Sequence, residues 1–235
     1  MHALTQPVRA LVDPVDAVPE AVGAGRWLWP LLLVALAVSF SGAAFALRWN
    51  AEAAVVRELS MSGELARLTE QELSDKIVMQ SRLALVSGIA KGVFLMPLAA
   101  LLFALGVKFC GWLIGRPIPF SRSFSATTVA LLPIAVYHLV YGVVALASAS
   151  VGDRRAEGLV PSHLGHVLTG LSPEMARLAS VADVFNLWAA VLLGLGYAAA
   201  TGWTRPKGIA FALVLYLMWA GVFLVGLPAM GGGGR

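Results

Sequence analysis

Between Asp183 and Gly226 the chain reads DVFNLWAAVLLGLGYAAATGWTRPKGIAFALVLYLMWAGVFLVG, two long apolar stretches joined by a short basic turn. Residues 184–200 form one stretch and 209–227 the other, relieved only by Asn186 and a few glycines. An uncharged apolar run of roughly 18 residues or more is long enough to cross a bilayer as a helix. The turn, 201–208, carries Arg205, Pro206 and Lys207 and no acid. This is the pattern of a transmembrane hairpin. Hydrocarbon is therefore the solvent in which the rest of the chain has to be read.

Composition agrees. The chain is 59% hydrophobic and 13% charged, against about 45–50% and about 25% in ordinary globular domains. Its 235 residues leave room for about five spans and no sizeable soluble domain besides. The formal net charge is only +4, and its cations flank apolar runs, as membrane charge asymmetry favours. A lipid bilayer is the expected partner and nucleic acid is not. Cys110 is the only cysteine, so no intrachain disulfide can form and the redox compartment stays open. Arginine dominates the cations, and with abundant Ala, Gly and Val this suggests a GC-rich bacterial genome and hence an inner (plasma) membrane.

Five spans are predicted, at about 27–47, 83–107, 125–148, 184–200 and 209–227. The fold class is all-α, a polytopic bundle with amphipathic loop helices. The first span is bracketed by Arg26 and Arg48 with Trp27, Trp29 and Trp49 at its ends, the anchoring pattern of a membrane helix. Ala44-Phe45-Ala46 has the spacing of a signal-peptidase site, but the apolar region ahead of it exceeds the ~7–15 residues of a signal peptide. Residues 1–26 contain Pro7, Pro14 and Pro19 and show no sustained period. They are expected to form a mobile arm in water or along the interface, outside a domain covering 27–227. Residues 228–235, rich in glycine, form a flexible tail.

In the charged loop 48–82, a short helix from Ala51 should stop near Ser62-Gly63. Thr69-x-x-Glu72 is a capping box opening a second one, which is expected to rest on the membrane surface or on neighbouring spans. Ser172-Pro173-Glu174 is a further helix start. Pro97 and Pro133 interrupt the second and third spans, and Gly88-x-x-x-Gly92 offers close helix contact. The loops 108–124 and 201–208 hold Lys108, Arg116, Arg122, Arg205 and Lys207 with no acid. The longer loops 48–82 and 149–182, which include Asp153, Arg154, Arg155 and Glu157, mix both signs. The short basic loops are placed in the cytoplasm, with the N terminus inside and the C terminus outside.

Few residues suggest chemistry. Lys91 lies about eight residues into its span, roughly 12 Å at 1.5 Å per residue, near enough for its stem to snorkel to the interface; a substrate site is the sharper alternative. His138, with Tyr137 and Tyr141, makes an intramembrane polar patch suited to an inter-helix hydrogen bond or, less simply, a proton relay. His163 and His166 are spaced i,i+3 but have no third ligand at metal spacing. Ser39, Ser41 and Ser125 are read as small helix-packing residues. No nucleophile elbow, Walker A, Gly-rich phosphate fingerprint or H-E-x-x-H occurs. No catalytic residue, metal or cofactor is expected, and the chain is read as a non-enzyme.

Phe120-x-x-x-Phe124 leading to Pro133, then Asp183-x-Phe185-x-Leu187-Trp188, Gly194-Leu195-Gly196, a short basic turn and an aromatic fifth span form a set that resembles the Yip1 domain family, in its bacterial branch. The resemblance covers about Trp27 to Gly226. The tyrosine- and glycine-containing signatures of eukaryotic members are not located here, so their Rab and trafficking roles are not carried over. The resemblance implies a five-span membrane protein. Asp183 is read as cap of the fourth span, or as the partner of a cation or ring on a neighbouring helix. A membrane scaffold or adaptor with a protein partner or self-association is expected. The alternative is a small transporter or channel subunit with a polar path through Lys91, His138 and Asp183.

Overall fold

The structure, a computed structural model, describes residues 2–152, 156 and 158–226. The expected flexible tail 228–235, Leu227, and the loop charges Asp153, Arg154, Arg155 and Glu157 lie outside the described residues. Among those described, the chain is helical with no β-strand, only two isolated bridges. Five helices among the described residues are long and apolar enough to cross a membrane: Leu28–Arg48, Glu70–Leu113, Phe120–Ala147, Val184–Thr201 and Arg205–Phe223. The chain divides into two compact units. One comprises the residues up to Val34, Pro97–Ile134 and everything from Pro161; the other comprises Ala35–Met96 and Ala135–Val160.

The first unit opens with α1 (His2–Val12) and α2 (Pro14–Gly23), where the sequence reading expected a mobile arm. Pro14 stands at the start of α2, where its missing N–H would be unpaired in any case; Pro7 and Pro19 lie inside the two helices. The buried positions of α2 are Ala17, Val18, Ala21 and Val22, a helical stripe of small residues. They join one core with Val107 of α6 (Met96–Leu113), Ala126 and Val129 of α7 (Phe120–Ala130), and Leu192, Leu195 and Tyr197 of α11 (Val184–Thr201). Ser125 Oγ donates to the carbonyl of Ala21 at 3.2 Å, so α7 and α2 are bonded as well as packed. A methyl on Gly196 would approach Ala126 Cβ to 2.9 Å and Val22 Cγ2 to 3.2 Å.

The α11–α12 hairpin, with α12 at Arg205–Ala220, closes through backbone contact. A methyl on Gly194 would meet the backbone of Ile209, and one on Gly208 the carbonyl of Gly194. Gly202 makes the turn, at φ 70°, in the left-handed region glycine adopts without strain. Beside it Tyr197, Trp203 and Phe211 form an aromatic cluster with centroids 4.3–6.1 Å apart. The Tyr197 hydroxyl donates to the carbonyl of Arg116 at 3.0 Å, and Arg205 lies 3.8 Å from Asp16 of α2. The two short basic loops and α1–α2 thus gather at one end of this unit.

In the second unit, α4 (Ala51–Ser62) starts at Asn50, whose side chain accepts from Ala53 N–H at 3.0 Å, and ends at the left-handed Gly63. Thr69 and Glu72 form the anticipated capping box at the head of α5 (Glu70–Ala90). The helix it starts does not lie on a surface as a separate element, which corrects the sequence reading. It continues through one π turn, Lys91–Leu95, into α6. The joined helix of 44 residues is roughly twice the ~20 that a bilayer requires. Pro97, with no N–H to offer Val93, sits just past the wide turn, a usual cause of local rewinding. Pro133 acts in the same way on the third span, where α7 stops at Ala130 and α8 (Leu132–Ala147) begins.

α3 (Leu28–Arg48) enters this unit at Ala35 and packs against α5 through glycine. A methyl on Gly88 would lie 2.7 Å from the carbonyl carbon of Gly42, and one on Gly92 would strike Ser39 and the carbonyl of Ala35. Ser39 Oγ donates to the carbonyl of Ile89 at 3.1 Å. With lipid tails as apolar as leucine, such contacts hold membrane helices together by dispersion and hydrogen bonding rather than by water exclusion.

Candidate functional site

The residues singled out from the sequence fall into three places. The first is the entry to the fourth span. Asp183, 7% exposed, caps α11: its Oδ1 accepts from Asn186 N–H at 2.9 Å. Its Oδ2 accepts from the hydroxyl of Ser162. The two strands of backbone here are also stitched, Leu164 N–H to the carbonyl of Ala182 at 3.2 Å and Val184 N–H to that of Ser162 at 3.1 Å. Tyr216 of α12 donates to the carbonyl of Val181 at 2.6 Å. Both carboxylate oxygens therefore serve the local fold. Among the described residues neither a cation nor a ring of a neighbouring helix is a hydrogen-bond partner of Asp183.

Ser162, His163 and Tyr216 were not anticipated at this junction. A serine in an irregular loop and a tyrosine in an apolar span carry no local signal of the distant groups they bond, the Asp183 carboxylate and the Val181 carbonyl. The rings of His163 and His166 stack, with centroids 3.8 Å apart. Burial, chiefly, and the neighbouring His166 hold the His163 imidazole below its ordinary pKa of 6.5, against an opposing pull from Asp183. Gly165, in the single turn α9 (Leu164–Val167), lets the segment approach α10 (Pro173–Ser180): a methyl there would lie 2.6 Å from the carbonyl of Ala176. Ser172 caps α10 by accepting from Met175 N–H at 3.3 Å. Among the described residues no three His, Cys, Asp or Glu side chains are grouped so as to hold a metal ion.

The second place is the aromatic start of α7. Phe120 and Phe124, one turn apart, stack with centroids 5.6 Å apart, and Trp27 closes on Phe124 at 5.3 Å. The F-x-x-x-F spacing thus makes a platform for the tryptophan heading the first span. Pro133 is fully buried. Trp188 packs against the core that holds Tyr197 and Leu192, and Phe185 is half-buried in the first turn of α11. These six residues, Asp183 included, are distributed along one architecture and do not converge on a cavity.

The sequence matches the Yip1 domain over residues 8–227. The chain belongs to the Yip1 domain family. The match begins at residue 8, within α1, and takes in the rest of that helix and all of α2. No curated protein and no solved structure matches the chain.

The third place in this Yip1 domain is the polar patch of the second unit. His138 Nδ1 lies 2.8 Å from Ser41 Oγ, and that hydroxyl is also 2.9 Å from the carbonyl of Val38. A hydroxyl has one proton. It can go to Val38 only in the tautomer that carries the ring proton on Nδ1; in the other tautomer the hydroxyl donates to Nδ1. The bond links α8 to α3, and the Tyr137 ring stands edge-on to His138 at 5.3 Å. Lys91 is exposed in the π turn next to Gly92, and no acid stands within ion-pair distance of it among the described residues. Gly92 faces α3, and Lys91, one position earlier, is set about a quarter turn round the helix from that contact.

Proposed function

We propose that this Yip1-family integral membrane protein is a non-enzymatic scaffold or adaptor, resident in a bacterial inner membrane with its N terminus in the cytoplasm. The observation that favours this over transport is the occupation of Asp183. Its two oxygens accept from Asn186 N–H and from the Ser162 hydroxyl, bonds that cap α11 and hold the Ser162 segment, so the carboxylate has a structural role within the local fold. His138 is likewise committed to a bond between helices, and Lys91 faces outward. Two of the three groups on which a polar path would depend, Asp183 and His138, thus have roles in the local structure.

The partner is a second protein or a second copy of the chain, held in the bilayer. In-membrane crosslinking followed by purification in mild detergent tests this. Recovery of a specific partner or a defined oligomer is expected; a chain recovered alone and monomeric counts against it. In proteoliposomes, no solute flux is expected. Flux that is lost on Asp183→Asn, His138→Ala or Lys91→Ala would move the assignment to a transporter.

A further inference from the structure

The N-terminal helix α1 has two unlike faces. Gln6 and Ala10 are buried, turned into the first unit, while Val8 is 60% and Val12 76% exposed, with Arg9 exposed between them. Exposed valines one helical turn apart form an apolar strip that water does not favour.

The level of this strip relative to the bilayer follows from one acid. Glu20 of α2 holds Arg26 by Oε1 at 3.1 Å and Arg9 by Oε2 at 3.3 Å. Arg26 immediately precedes Trp27, Leu28 and Trp29, all exposed at the start of the first span, and a cation followed by tryptophans marks the headgroup level. Sharing one carboxylate, Arg9 and Arg26 stand within a few ångströms of the same depth. Around them, at the same end of the unit, Lys108, Arg116, Arg122 and Lys207 have no acid within ion-pair distance among the described residues. The acids of α2 are themselves occupied, Glu20 by Arg9 and Arg26 and Asp16 by Arg205.

From this arrangement we infer that α1 is an interfacial helix, seated with Val8 and Val12 at the headgroup–acyl boundary of a leaflet rich in anionic phospholipid, whose phosphates meet Arg9 and the surrounding unpaired cations. Apolar burial supplies contact and the cations supply lipid preference, the two components of binding for helices lying in the membrane plane. A lipid surface fits better than a protein here because Glu20 ties Arg9, next to Val8, to Arg26 at the head of the first span, where Trp27 and Trp29 mark the headgroup level.

The test uses the full chain in nanodiscs, with Cys110→Ser and single spin-labelled cysteines at Val8, Val12, Phe94 (73% exposed on the second span) and Glu58 of α4. Collision with oxygen is compared with collision with a water-soluble nickel chelate. In discs containing phosphatidylglycerol, labels at 8 and 12 are expected to give an oxygen-to-chelate ratio between that of Phe94 and that of Glu58. In phosphatidylcholine discs, or with Arg9→Glu, the ratio should shift toward the Glu58 value. Labels at 8 and 12 that match Glu58 in anionic discs overturn the inference, as do labels shielded from both probes, which would place protein on the strip. An unchanged ratio in phosphatidylcholine overturns the assignment to anionic lipid. None of these readings depends on a protein partner being found.

Discussion

Gly42 and Gly88 touch backbone to backbone: a methyl added to Gly42 would stand 2.5 Å from the carbonyl oxygen of Gly88. There is no flexible side chain to give way, so the helices themselves must part. We expect Gly42→Ala and Gly88→Ala each to destabilise the protein by about 1–3 kcal/mol, the usual range for overpacking. Gly106, in α6, has nothing within 4 Å of its added methyl. There Gly106→Ala should be neutral or stabilising by up to about 1 kcal/mol through helix propensity. Thermal unfolding of the three variants in one detergent checks the contrast; equal effects at all three sites would contradict it.

At the entry to the fourth span, Asp183→Ala should remove the cap and strand the Ser162 hydroxyl. Loss of a cap of this kind typically costs about 0.5–2 kcal/mol. Ser162→Ala in the Asp183→Ala background should add little, because the two act through one bond. A double-mutant cycle read by unfolding in detergent measures the coupling, and additivity of the two changes would count against it.

The bond between Ser41 and His138 should be modest. Hydrogen bonds between membrane helices average about 0.6 kcal/mol and reach about 1.7 kcal/mol. A cycle of Ser41→Ala and His138→Phe should return a coupling in that range. A coupling of zero would mean that the 2.8 Å contact contributes nothing to stability.

His163 makes the loop sensitive to acid. Its folded pKa lies below the ordinary 6.5, so between the two values the unfolded chain binds more protons than the folded one. Its contribution to stability is therefore complete above about pH 6.5 and is lost as pH falls toward the depressed value. The fall in Tm between pH 7.5 and pH 5.5 should be smaller in His163→Gln than in the wild type. An equal fall in both would assign the acid sensitivity to other groups.

Features set by neighbouring residues were legible in the sequence. The Thr69–Glu72 box, the Ser172 and Asp183 caps, the stop at Gly63 and the break at Pro133 each depend on a few adjacent positions, and each stands where its local chemistry put it. Gly88 and Gly92 could be read as a contact face, but Gly42 could not be matched to them, since nothing local pairs one small residue with another on a different helix. The N-terminal helices were missed because Pro7 and Pro19 argue against helix interiors, although the stripe at 17, 18, 21 and 22 carried the helical period. The same limit hid Ser162 as the partner of Asp183. Length alone could not show that α5 runs on into a span, because its polar first turns resemble a loop helix.

The burial of α2 against α11 bears on how the chain is made. A ribosome releases Val18 and Val22 well before the helix they pack on, which starts at Val184, about 160 residues later. At about 5–20 residues per second, that separation lasts roughly ten to thirty seconds. Through that interval the apolar side of α2 must be sheltered by lipid or by the insertion machinery, and the first unit can be completed only after its fourth span has entered the bilayer.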